Sequence, residues 1–103
     1  MIKLSVIIIS LNEELNIERC LKSVQALADE ILILDSFSTD KTKEIAESYG
    51  AKVVLKEFEG YVKARRTVES LANFDYILAI DADEALSEQL QQSIIQLKSN
   101  WVN

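Results

Sequence analysis

Hydrophobic residues along the chain alternate between short continuous runs and segments with helical spacing. The runs are LSVIII, ILIL, VVL and YILAI, at residues 4–9, 31–34, 53–55 and 76–80. The run at residues 4–9 predicts a strand that is buried on both faces of a sheet. The other three runs predict further strands, of which ILIL and YILAI are expected to be buried. Each run is followed by apolar residues that recur every three or four positions, which predicts an amphipathic helix. The predicted order of elements is therefore β-α-β-α-β-α-β-α.

Polar residues and a glycine predict where the helices begin and end. Asn12 is expected to cap the first helix, Ser38 or Thr39 the second, and Ser87 the fourth. Gly50 stands where a helix C-terminal glycine belongs. Alternating strands and helices favour a parallel sheet with helices on both faces. We therefore expect residues 1–103 to form a single α/β domain with strand order 3-2-1-4.

Composition narrows the chemistry that this domain can perform. The chain has 103 residues and a net charge of −6, which argues against a nucleic-acid reader. It has no histidine and one cysteine, Cys20, so histidine bases, Ser-His triads and cysteine zinc clusters are excluded. Acid–base or metal chemistry must therefore use carboxylates, which favour hard ions such as Mg or Mn.

Polar and acidic residues follow three of the predicted strands directly. They are Ser10, Leu11, Asn12 and Glu13 after the first, Asp35 after the second, and Asp81 and Asp83 after the fourth. Ligands of parallel sheets bind beyond the carboxyl ends of the strands, so these residues mark a candidate site. No glycine-rich loop follows the first strand, which disfavours a dinucleotide-binding fold or a sugar-nucleotide pyrophosphorylase.

Each of these motifs has a second interpretation. Asp81 and Asp83 are two residues apart and can face one cation together, but a solvated turn before a helix has the same pattern. Asp35 is either a hydrogen-bond acceptor for a nucleobase or ribose, or a cap for the turn that follows it. The basic cluster at Lys63, Arg65 and Arg66 either neutralises a diphosphate or is a solvated helix face.

The segments LSVIIISLNEELNIERCLKSV, ADEILILDSFSTDKTKEIAESYGAKV and FDYILAIDADEALS resemble the family 2 glycosyltransferases. These are inverting, nucleotide-sugar-dependent enzymes with the GT-A fold. The resemblance covers nearly the whole chain in the right order. It implies that the chain is the Rossmann-like, nucleotide-sugar-binding half of such an enzyme. The segments DSFSTDKT and DADE are most similar to those of the bacterial branch that adds sugars to the lipopolysaccharide core or related surface glycans.

The resemblance also implies roles for individual residues. A uridine pocket is expected at Ser10, Leu11, Asn12 and Glu13, with Asp35 on the nucleobase, Arg65 near the nucleotide, Asp81 near the ribose and Asp83 on the divalent metal. The sequence departs from the family pattern at three positions. Leu11 replaces a frequent aromatic residue and cannot stack on a base, Ser36 replaces a second Asp, and Arg66 stands where Asn is common.

Family members are usually more than twice as long, and their later half supplies the acceptor site and the catalytic base. We therefore expect the general base to lie beyond residue 103, so that the chain alone transfers no sugar. The expected parent enzyme uses Mn or Mg to transfer a sugar from a UDP-type donor to a hydroxyl of a surface glycan or lipopolysaccharide core. The alternative is a non-catalytic module that binds nucleotide and metal.

Two further expectations concern the surroundings of the chain. The apolar run at residues 4–9 is too short to span a bilayer, and it lacks the features of a signal peptide. We therefore expect a cytoplasmic protein, at most peripheral to the inner face of the membrane. Because part of the parent fold is expected to be missing, exposed apolar surface should promote self-association.

Overall fold

The computed structural model describes residues 2–101. They form four strands and four helices in strict alternation, as the hydrophobic pattern predicts. The elements are β1 Leu4–Ser10, α1 Ile17–Val24, β2 Glu30–Asp35, α2 Thr42–Ser48, β3 Lys52–Leu55, α3 Tyr61–Ser70, β4 Tyr76–Asp81 and α4 Glu88–Asn100.

The four strands form one parallel sheet in the order β3-β2-β1-β4, which confirms the predicted topology. At the carboxyl end of the sheet, Ser10 is paired with Asp35 and Ile9 with Asp81. The carboxylates of β2 and β4 therefore lie at the same edge, on either side of β1. This edge is where a parallel α/β sheet binds its ligands.

Helices cover the two faces of the sheet unequally. Ile8 and Ile33 point into the larger core, which α1, α2 and α4 complete. Ile7 and Leu32 point to the opposite face, where they meet Ala64 and Val68 of α3. Neighbouring residues of a strand face opposite ways, so both central strands are buried on both sides, as their continuous apolar runs predict.

The edge strand β4 is covered on one face only. Ile80 is buried in the larger core, whereas Ile77 and Ala79 are exposed on the face that α3 covers over β1 and β2. The prediction that YILAI is a buried strand therefore holds for Ile80 and is wrong for Ile77 and Ala79. The exposed face agrees with the surface expected to promote self-association, which stays a prediction.

Two of the predicted helix starts are wrong. The helix α1 begins at Ile17, so Asn12 lies outside it. The helix α2 begins at Thr42, so Ser38 and Thr39 lie in the preceding loop. The capping residues were misassigned because their side chains bind another loop, described below, instead of the nearest helix.

The other two predicted helix ends are confirmed. Ser87 precedes α4, and its side chain accepts a hydrogen bond from the Leu90 amide at 3.1 Å. Gly50 follows α2 with φ +82°, a left-handed conformation that favours glycine.

An ion pair joins the end of α4 to the sheet. The ammonium group of Lys98 lies 2.6 Å from Asp29 Oδ2 and 2.6 Å from the Leu27 carbonyl oxygen. Asp29 Oδ2 also accepts a hydrogen bond from the Leu4 amide at 2.8 Å. The Lys98 side chain is 11% exposed and that of Asp29 is 29% exposed. This contact therefore fixes α4 against the amino-terminal ends of β1 and β2.

Candidate functional site

A cavity of about 350 Å³ lies at the carboxyl ends of the strands. It is lined by the residues that follow β1, β2 and β4, together with the segment that leads into α3. These are Ile9, Ser10, Leu11, Glu13, Ser36, Phe58, Tyr61, Asp81, Ala82 and Asp83. Its volume is within the range of small-molecule sites, and it combines apolar walls with a few polar groups.

The acidic turn after β4 forms one part of the cavity. The Asp81 amide donates to Glu84 Oε1 at 3.0 Å, and the Glu84 amide donates to the Asp81 carbonyl oxygen at 2.9 Å. Burial raises the pKa of Asp81 above its ordinary value, and the negative charges of Glu84 and Asp83 raise it further, while Arg65 opposes them. The turn therefore concentrates negative charge, which a cation would neutralise.

Asp83 lies beside Asp81 on the cavity wall, with its side chain exposed. Its carbonyl oxygen accepts a hydrogen bond from Arg19 Nη2 at 3.0 Å, which ties the turn to α1. Within residues 2–101, no three His, Cys, Asp or Glu side chains are arranged to hold a metal ion. A hard cation at Asp83 would thus need further oxygens from water or from a ligand, as Mg normally does.

Asp35 is held below the cavity surface. It is 1% exposed, and its Oδ1 accepts hydrogen bonds from Ser10 Oγ at 2.7 Å and Ser38 Oγ at 2.6 Å. Its Oδ2 accepts a hydrogen bond from the Ser38 amide at 2.8 Å. These three bonds stabilise the buried charge and orient Ser10, which itself lines the cavity. The predicted contact of Asp35 with a nucleobase stays a prediction.

The loops after β1 and β2 are joined by direct hydrogen bonds. Three backbone amides of the first loop each donate to a side chain of the second loop or of the first residue of α2: Asn12 to Ser38 Oγ (2.8 Å), Glu13 to Thr42 Oγ1 (2.9 Å) and Glu14 to Asp40 Oδ2 (3.1 Å). In return, Asn12 Oδ1 accepts the Thr39 amide at 2.8 Å. Asn12 adopts φ 51°, which asparagine tolerates better than most residues. The two loops therefore hold each other in place.

The basic cluster on α3 is exposed and partly paired with carboxylates of α3 and of the segment before it. Lys63 binds Glu59 at 2.9 Å, and Arg65 lies 4.0 Å from Glu69. Such exposed pairs are weak, so these side chains are able to exchange partners. The positive charge of Arg65 acts to lower the pKa of Asp81, but Arg65 does not line the cavity.

The structure brings most of the predicted site residues together. Five of the eight line the cavity: Ser10, Leu11, Glu13, Asp81 and Asp83. Asn12, Asp35 and Arg65 do not line it. Asn12 and Asp35 hold the adjoining loops by hydrogen bonds, and Arg65 pairs with Glu69 on α3. Five lining residues were missed, namely Ile9, Ala82, Ser36, Phe58 and Tyr61. Aromatic residues on either side of Gly60 were the available signal for the last two, since the predicted helix begins there.

Comparison with known proteins decides the family. The sequence profile of Glycosyl transferase family 2 matches residues 5–100. The chain belongs to this family. Its sheet order and helix placement are those of the GT-A glycosyltransferases among its structural neighbours, as the resemblance implies.

Relatives from this family include both uncharacterised and named enzymes. An uncharacterised glycosyltransferase of Rickettsia bellii (strain RML369-C) is 52% identical over 92 residues, which cover 89% of this chain and 31% of the relative. The lipopolysaccharide core biosynthesis glycosyltransferase LpsC of Rhizobium meliloti (strain 1021) is 32% identical over 99 residues, covering 91% and 36%.

A solved structure also matches this chain, in both fold and sequence. Glucosyl-3-phosphoglycerate synthase from Mycobacterium tuberculosis, in complex with Mn2+, UDP and glucosyl-3-phosphoglycerate, matches with a TM-score of 0.69 and 29% identity. The match covers 82% of this chain and 36% of the synthase. The chain thus spans about a third of the length of the proteins it matches.

No helix within residues 2–101 has the length and apolar character that crossing a membrane requires.

Proposed function

We propose that the cavity binds a UDP-type nucleotide sugar together with a divalent cation, Mn or Mg. The observation that carries this proposal is that Asp81, Asp83 and Glu13 line one cavity with Ser10 and Leu11. A diphosphate would be repelled by three carboxylates unless a cation lay between them. The synthase of Mycobacterium tuberculosis, which has a similar fold, was solved with Mn2+ and UDP.

Asp83 is the residue proposed to hold the cation, with Asp81 beside it near the ribose. Bound there, a divalent ion would neutralise the charge that develops on the departing diphosphate. Arg65, which is exposed and lies 4.0 Å from Glu69, is proposed to move its guanidinium from Glu69 to a phosphate oxygen. Asp35 and the joined loops keep the nucleotide pocket in its bound shape, which lowers the ordering cost of binding.

The reaction proposed for the longer enzyme is inverting transfer of the sugar to a hydroxyl of a surface glycan or the lipopolysaccharide core. The similarity to LpsC supports this acceptor class. The general base is proposed to lie outside residues 1–103, since these residues match only about a third of the length of the relatives. The chain alone would then behave as the alternative function describes, a nucleotide- and metal-binding module without turnover.

Calorimetric titration of UDP with and without Mn tests the proposal. Nucleotide and metal should bind with positive coupling of about 1–3 kcal/mol, the usual range for linked sites. Asp83→Asn keeps the side-chain shape but removes the charge, and should abolish most of the coupling. Asp75→Asn is the matched control, because Asp75 directly precedes β4, at the end of the strand that is far from the cavity.

Two results would contradict the proposal. Equal UDP affinity with and without Mn would remove the metal from the site. An Asp83→Asn variant with wild-type coupling would make the acidic turn a solvated loop. Sugar transfer by the 103-residue chain would place the general base within it, contrary to the expectation stated here.

A further inference from the structure

Phe58 and Tyr61 form an aromatic pair on the wall of the cavity. Their ring centroids are 5.0 Å apart with an interplanar angle of 75°, an edge-to-face arrangement. They remain exposed, Phe58 at 43% and Tyr61 at 71%. Two adjacent exposed aromatic rings inside a concave site are typical of a ligand-binding surface.

The pair is held in position by the start of α3. In the sequence, Gly60 lies between Phe58 and Tyr61. Its φ is +101°, a backbone conformation that residues with a side chain rarely adopt, and it turns the chain into the helix. Ala64 and Val68 then anchor α3 in the smaller core against the sheet. The rings are therefore presented by a fixed element, although they are themselves accessible.

The aromatic and the acidic groups of the cavity belong to segments that adjoin opposite edge strands of the sheet. Phe58 follows β3, which is one edge strand, whereas Asp81 and Asp83 end and follow β4, the other edge strand. A ligand that contacts both sets of groups needs a flat or apolar part and an anionic, metal-binding part. A nucleoside diphosphate has this composition.

Ser36 provides a polar contact in the same cavity. The Ser36 Oγ atom is buried, and no group within residues 2–101 forms a hydrogen bond with it. Leaving a buried hydroxyl unpaired is unfavourable, which suggests that a ligand satisfies it. A hydroxyl both donates and accepts, so it can bind either the N–H or the carbonyl groups on the edge of a nucleobase.

We propose that the base of the donor nucleotide stacks on the Phe58–Tyr61 pair and hydrogen-bonds to Ser36 Oγ; this rests on the function proposed above. Leu11, on the first loop, offers no aromatic face to a base. The aromatic surface is supplied instead by the segment before α3. The pair then determines how well a nucleotide is distinguished from a bare diphosphate.

Titration of two ligands against three variants tests this inference. Phe58→Ala and Tyr61→Ala, singly and together, are compared with Phe74→Ala, whose ring lies before β4 and faces Lys3 at 5.7 Å. In the presence of Mn, the double variant should bind UDP roughly 5- to 100-fold more weakly, the range for loss of an aromatic–base stack. The affinity for pyrophosphate and Mn should stay unchanged, and Phe74→Ala should bind both ligands as the wild type does.

Two further measurements use the unmodified chain and the Ser36→Ala variant. Nuclear Overhauser contacts between the uridine ring protons of bound UDP and the Tyr61 ring are expected, and Ser36→Ala should weaken UDP but not pyrophosphate binding.

The outcomes separate the inference from the function on which it rests. If the double variant binds UDP normally while Asp83→Asn does not, the stacking role is refuted and the proposed function stands. If UDP and pyrophosphate weaken equally, the pair shapes the whole pocket and the stacking role is again refuted. If the wild-type chain binds no UDP, the proposed function fails and the inference fails with it.

Discussion

Replacing Lys98 with methionine should destabilise the domain by about 2 kcal/mol. Methionine retains much of the apolar length of lysine but removes the ammonium group that binds Asp29 and the Leu27 carbonyl oxygen. Breaking a fully buried ion pair costs about 3–5 kcal/mol. The Asp29 side chain is 29% exposed, so water can partly replace the lost partner, and a smaller loss follows. In a domain of this size, about 2 kcal/mol lowers Tm by roughly 10 °C.

Urea unfolding followed by fluorescence measures this change. The single tryptophan, Trp101, directly follows α4, and its indole N–H donates to the Tyr76 hydroxyl at 2.9 Å. Its emission therefore reports whether the end of α4 stays against β4. Lys22→Met is the matched control, since Lys22 pairs with Glu18 at 3.0 Å on the exposed face of α1. The control should leave the unfolding midpoint unchanged.

A double-mutant cycle makes the reasoning refutable. Asp29→Asn in the Lys98→Met background should cost less than Asp29→Asn in the wild type, because the unpaired charge is already present. Additive effects, or a Lys98→Met midpoint equal to that of Lys22→Met, would show that the pair does not hold α4 to the sheet.

Two other predictions concern titratable groups. Burial tends to raise the pKa of Asp29, but hydrogen bonds from Lys98 and the Leu4 amide hold it below its ordinary value of 3.8. Its contribution to stability is thus complete above pH 3.8 and is lost as the pH falls through the folded pKa. The urea unfolding midpoint should therefore change less between pH 5 and pH 2 in the Asp29→Asn variant than in the wild type. Burial, assisted by the charge of Glu84, raises the pKa of Cys20 to about 12. Alkylation at pH 8 should therefore be slow in the native chain and fast in urea, and rapid native labelling would contradict the buried position of this thiol.

The strands and their order were predictable because the signal is local and repeated. Four continuous apolar runs predict buried strands, and the connecting helices impose parallel pairing. The exposed face of β4 was not predictable, since Ile77 and Ala79 have the same composition as residues of a strand buried on both sides. Whether a helix covers that face depends on where α3 packs, and the hydrophobic pattern does not specify this.

The errors at the helices share one cause, which is a partner far away in sequence. Asn12 resembles a helix cap, but its side chain binds the Thr39 amide. On α4, the apolar Leu97 is exposed, whereas Lys98 is buried because Asp29 neutralises it. A lysine is normally assigned to the surface, and no local pattern indicates such a pairing.

The candidate site was predictable to the extent that it follows strand ends. Asp81 and Asp83 were expected at the carboxyl edge of the sheet and lie there, because they end and follow β4, while their roles stay predictions. Phe58 and Tyr61 were not assigned, because they lie in the connection to α3, and its path across the sheet becomes visible only in three dimensions.

The hydrogen bonds between the loops after β1 and β2 also restrict how the chain can vary in length. Surface loops ordinarily accept inserted residues at small cost. Here the amides of Asn12, Glu13 and Glu14 each meet a specific acceptor on the other loop. One inserted residue in either loop would displace every later donor from its acceptor, much as a register slip disrupts a pair of strands. These two loops are therefore as intolerant of insertion and deletion as the sheet they extend.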